Sequence, residues 1–124
     1  MKKESIIRNK IIKTCLILEK KNLNQCRSGN VSHRWKEGML ITPSGMPYNK
    51  INENDIVFID KNKNFIGKRN PSIEWNFHYD IYKFKNEVNT VIHNHSPYAS
   101  GISILRKNIK PYHYMIAFLG GIDV

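Results

Sequence analysis

The sequence predicts a mixed α/β domain, and three observations predict it. An amphipathic helical pattern opens the chain, short strand-like runs follow it, and two later helical patterns bracket one further strand. The order helix, strands, helix, strand, helix contains no regular βαβ repeat. At 124 residues the chain is one domain or part of one, with room for a modest core.

Residues 4–21 place Ile7, Ile11, Cys15 and Leu18 on one stripe, with Ile12 and Leu16 beside it, and Asn22 to Asn24 end the helix. From Gly29 to Thr42 the period falls to two. Val31, His33 and Trp35 alternate with Ser32 and Arg34, Glu37-Gly38 supplies a turn, and Met39-Leu40-Ile41 returns. Pro43-Ser44-Gly45 breaks that strand. Residues 55–60 form a third, largely buried strand, closed by the polar run Lys61 to Asn64. A second helix is expected from Pro71-Ser72 to Phe84, with Ser72 as N-cap and Ile73, Phe77, Ile81 and Phe84 on its inner side. Residues 90–95 are a strand, and Ser96-Pro97 opens a helix reaching about Leu105. The apolar run 117–124 ends without a polar cap, which predicts a C-terminally truncated, incomplete domain over residues 1–124.

Composition excludes some classes. With 40% hydrophobic and 24% charged residues, intrinsic disorder is not expected. The net charge of +10 is spread as lysine over helices and loops alike, with no aromatic-interleaved stripe, so no nucleic-acid partner is predicted. Two isolated cysteines, Cys15 and Cys26, fit a reduced compartment. Arg8, Lys10 and Lys13 interrupt every candidate signal segment and no run has the length of a membrane span. A cytoplasmic protein without membrane contact is the expectation.

Four sets of residues can carry chemistry. His93 and His95, at i and i+2 on a strand, project from one face and can share a divalent ion, although such a pair alone is equally a surface or core feature. Glu74, in the first turn of the second helix, either complements the helix dipole or serves as a base beside a metal. Gly29-Asn30, Ser44-Gly45 and Ser72 sit in turns whose backbone N–H groups suit a phosphate, and each alone is an ordinary turn.

Taken together, GNVSHR (29–34), GMLITPSGMPYNKI (38–51), NPSIEWNFHYDIY (70–82), VIHNHSPYASGISIL (91–105) and HYMIAFLGG (113–121) resemble the class II aldolase and adducin family, nearest its fuculose-phosphate aldolases, in order and spacing. The resemblance implies a three-layer α-β-α fold with a mixed, largely antiparallel central sheet. It makes His93 and His95 two of three zinc (Zn2+) ligands and Glu74 the catalytic acid/base. It makes Asn30, Ser44, Gly45 and Ser72 the seat of a substrate phosphate, and Tyr114 a proton carrier at a neighbouring subunit's site. The implied reaction is cleavage of a ketose 1-phosphate to dihydroxyacetone phosphate and a small aldehyde, in a homotetramer. A pentulose-phosphate 4-epimerase or dehydratase, or a non-catalytic adducin-like remnant, is the alternative. Two departures stand out. Ile73 replaces a serine common in the family, and none of His33, His78 and His113 matches the third-ligand motif.

Overall fold

The computed structural model describes residues 2–119. Helix α1 (Lys2–Lys20) buries Ile11, Cys15 and Leu18, the stripe expected from its periodicity. Strands β1 (Asn30–Trp35) and β2 (Gly38–Ile41) form the predicted hairpin, with Trp35 opposite Gly38 and Ser32 opposite Ile41. The third strand, β3 (Val57–Ile59), is shorter than expected. Asp55 belongs instead to a 3-10 turn, where its carboxylate accepts from the Asn52 backbone N–H and from Arg69 Nε, each at 3.0 Å. The run 61–64 does not close the strand. It is the turn of a second hairpin, in which Asp60 Oδ1 accepts the N–H groups of Asn62 and Asn64 and the chain returns as β4 (Phe65–Ile66).

Helix α2 (Trp75–Phe84) starts three residues after Ser72, so Ser72 is not its N-cap; Glu74 holds that position and its side chain makes no capping bond. Its buried face also differs from the expected one. His78 and Tyr82 point inward, whereas Ile73 is 84% and Phe84 77% exposed. The inward aromatic groups have partners for their polar atoms, and this makes their burial tolerable. Strand β5 (Thr90–His93) and helix α3 (Pro97–Leu105) follow, and a 3-10 turn occupies Tyr114–Leu119. Gly120 and Gly121, which end the last family-like motif, and the apolar run beyond them lie outside the described residues.

The sheet order is β4-β3-β2-β1-β5 and all four pairings are antiparallel. Successive strand residues face opposite ways, so β2 feeds two cores. Leu40 packs with Val31, Tyr48, Ile51 and Ile56 against α1, while Met39 and Ile41 pack with Val57, Ile59 and Tyr82 of α2. No helix among the described residues is long and apolar enough to cross a membrane.

Candidate active site at the end of β5

Register brings the predicted residues together. Asn30, the first residue of β1, lies opposite His93, the last of β5. His95 falls two residues beyond the strand, yet its ring centroid is 4.8 Å from that of His93, as the i, i+2 spacing requires. Its backbone N–H is held by the loop after α1, donating to Leu23 O at 3.1 Å and to Asn24 Oδ1 at 3.3 Å. That loop passes so close that a Cβ on Gly29 would stand 2.1 Å from the Asn24 side chain, so any larger residue here would displace Asn24. Phe77 of α2 meets the His93 ring edge-on at 5.2 Å.

Glu74 reaches the same point from the start of α2. Its Oε2 accepts from Asn30 Nδ2 at 2.5 Å and from His93 Nδ1 at 2.8 Å. One donor atom each from Glu74, His93 and His95 lies within 4.8 Å of the others. Around one zinc ion with bonds of about 2.0–2.1 Å, ligand atoms stand roughly 3.3 Å apart, so small rotations bring this set to a metal. Two imidazoles and a carboxylate are a donor set suited to a divalent ion, and the fit is sound.

Beside these groups lies a cleft of about 370 Å³ lined by Asn30, Ser44, Gly45, Ser72, Glu74 and His95, among others. A bridge between Pro43 and Pro71 zips its two walls, with Ser44 N–H donating to Asn70 O and Ser72 N–H to Thr42 O. Those two amides are therefore spent, contrary to the expectation that they face a phosphate. The hydroxyls of Ser44 and Ser72 remain, and the Gly45 and Ile73 amides have no partner among the described residues. Gly45 takes φ +69°, the left-handed conformation this tight turn needs. Tyr48, buried, donates to Gly29 O at 2.6 Å and fixes the floor of the cleft; burial pushes its hydroxyl up to about 12.

Tyr114 is the predicted residue not brought in. It is 76% exposed and does not line the cleft. Conversely, the sequence reading passed over Arg27, Ser32, His78 and Tyr82. Arg27 lines the cleft, with a guanidinium nitrogen 3.0 Å from Gly45 O. The other three form a hydrogen-bonded line behind Asn30, and burial takes the His78 ring down to about 4. Only the adjacency of Arg27 to Gly29-Asn30 could have signalled it; the long-range pairing of Ser32 with α2 leaves no local trace.

Residues 9–124 match the class II aldolase and adducin N-terminal domain. An L-fuculose phosphate aldolase of Haemophilus influenzae is 50% identical over 111 residues, which are 90% of this chain and 51% of that protein. A 5-methylthioribulose-1-phosphate/5-deoxyribulose-1-phosphate aldolase of Rhodospirillum rubrum is 43% identical over 102 residues, 82% of this chain and 46% of that one. A solved L-fuculose 1-phosphate aldolase superposes with a TM-score of 0.88 at 37% identity, covering 97% of this chain and 57% of its own. The chain thus spans about half the length of the curated relatives it matches. With the site assembled from the same segments that carry the likeness, this chain belongs to the class II aldolase and adducin family.

Proposed function

We propose that this chain carries the metal- and phosphate-binding part of an aldolase that cleaves a ketose 1-phosphate, of the L-fuculose 1-phosphate kind, into dihydroxyacetone phosphate and a small aldehyde. One observation carries the reading. Glu74, His93 and His95 converge beside a cleft that holds Asn30, Ser44, Gly45 and Ser72.

His93 and His95 would hold the metal, with zinc the ion the donor set favours. When bound, it supplies Lewis-acid stabilisation of the charge that carbon–carbon cleavage leaves on the dihydroxyacetone phosphate half. Glu74, tethered by Asn30, moves the proton at the carbon where that bond breaks. Ser44 and Ser72 hydroxyls and the Gly45 amide seat the phosphate and orient the reacting end. Tyr114, exposed on its own subunit, serves the aldehyde oxygen of a neighbour's site in a homotetramer. The opposed cores of α1 and α2 support a three-layer α-β-α arrangement for the whole domain.

Both named relatives are ketose 1-phosphate aldolases, which favours cleavage over pentulose-phosphate epimerisation and leaves the aldehyde open. The assay couples dihydroxyacetone phosphate release to a dehydrogenase, with zinc present and L-fuculose 1-phosphate or a 5-deoxyribulose 1-phosphate as substrate. Release that falls about 100- to 10,000-fold in Glu74→Gln, and with it zinc loss in His93→Ala, is the expected result. Zinc-independent turnover, or epimerisation of a pentulose phosphate without release, would overturn the reading.

A further inference from the structure

His78 has no part in the chemistry above, yet it is fully buried and both its ring nitrogens are bonded. Nδ1 lies 2.7 Å from Ser32 Oγ and Nε2 lies 2.5 Å from Asn30 Oδ1. The line continues both ways. Ser32 Oγ is 2.8 Å from Tyr82 OH, which also accepts the Val91 N–H at 3.1 Å. At the other end Asn30 Nδ2 is 2.5 Å from Glu74 Oε2. Local geometry builds this line economically. Ser32 and Asn30 are i, i+2 on one face of β1, and Tyr82, His78 and Glu74 recur every four residues along α2 and its cap.

The two ends fix every proton between them. A carboxylate only accepts, so Asn30 must turn its NH2 toward Glu74 and its carbonyl toward His78. A carbonyl only accepts, so His78 carries its proton on Nε2. Its bare Nδ1 then takes the Ser32 hydroxyl proton, and the Ser32 oxygen takes the phenol proton of Tyr82. The far end agrees independently. Among the described residues Ser32 Oγ is the one acceptor bonded to that phenol. Reversed, the line would strand the phenol proton and press the Asn30 carbonyl against the carboxylate. Burial, which takes the His78 ring down to about 4, keeps it neutral.

We propose that His78 is a positioning residue for this site: as the Nε2–H tautomer it locks the Asn30 amide in the one orientation that grips Glu74 and turns its carboxylate to the histidine pair. The inference rests on the reading of Glu74, His93 and His95 as the working site. Without His78, the Asn30 amide is free to flip and to present its oxygen to Glu74.

The test begins with long-range 1H–15N spectra of the histidine rings in the labelled protein. The Nε2–H form of His78, unchanged from about pH 8 to pH 5, is expected, and an Nδ1–H tautomer would overturn the proposal. Two variants follow, read by exchange of the Asn30 side-chain amide and by zinc affinity against a chromophoric chelator. His78→Leu should speed that exchange and weaken zinc about 10- to 100-fold, as loss of a group supporting a ligand does. His78→Gln, which keeps a donor for Asn30, should recover most of both. A folded leucine variant with native exchange and affinity would overturn the role; if that variant does not fold, the ring tautomer and the glutamine variant decide. A wild-type protein that takes no zinc would sink the metal reading alone, since the tautomer and the Asn30 exchange still judge His78.

Discussion

Arg27 is the one arginine or lysine among the residues lining the cleft, and it stands where an incoming phosphate would otherwise meet only neutral donors. It adopts φ +63°, a left-handed conformation uncommon for a side-chain-bearing residue, and its bond to Gly45 O holds the guanidinium at the cleft. Ile73, 84% exposed on the opposite wall, offers no hydroxyl. A charge-assisted bond is worth about 1.5–3 kcal/mol, so Arg27→Ala should weaken inorganic phosphate binding at least about ten-fold. Ile73→Ser should strengthen it. Isothermal titration of both variants checks this, and unchanged affinity in Arg27→Ala would remove the arginine from the seat. At this scale the convergence of most candidate residues was legible. His93, His95 and Glu74 were visible through strand period and motif, whereas Arg27 looked like any surface arginine beside a turn.

Among the elements, α1 was legible because its inner stripe is aliphatic and its outer face charged. α2 was not, because an apolar tally ranks Phe77, Ile81 and Phe84 above His78 and Tyr82, and only the tertiary partners Ser32 and Asn30 reverse that order. Likewise β4 was hidden because Asp60 and Asn64 make a hairpin turn from residues that read as a strand's end. The buried ring of α2 gives the fold a pH dependence whose sign is fixed. His78 titrates near 4 when folded and near 6.5 when unfolded, so the unfolded chain binds the extra proton between those values. The stabilisation is complete above about pH 6.5 and is lost as pH falls toward 4, with about 2 kcal/mol gone by pH 5. Urea unfolding at pH 7 and pH 5 should show that loss in the native protein and a shallower one in His78→Gln. Equal slopes would assign the titration elsewhere.

On the scale of the molecule, the site sits at one border of the sheet. β5 is an edge strand among those described, and α3 beyond it buries no residue, leaving Ile104 79% and Leu105 63% exposed. Ile92 and Phe118 are also exposed, while Ile116 is buried. Patches of this kind normally meet other protein, in keeping with the proposed subunit contacts. The loop after α1 adds a different property. Through Leu23 and Asn24 it grips the backbone of His95, and through Gly29, tied down by Tyr48, it lines the cleft proposed to seat the phosphate. On the proposed function, one short segment would therefore touch the seats of two ligands of opposite charge. Any coupling carried by this loop is reciprocal by linkage: the factor by which phosphate tightens zinc is the factor by which zinc tightens phosphate. Zinc titrations with and without saturating phosphate should give affinities differing about 5-fold or more, and Asn24→Ala should shrink the gap. Identical affinities would mean that the loop holds its two guests without letting either sense the other.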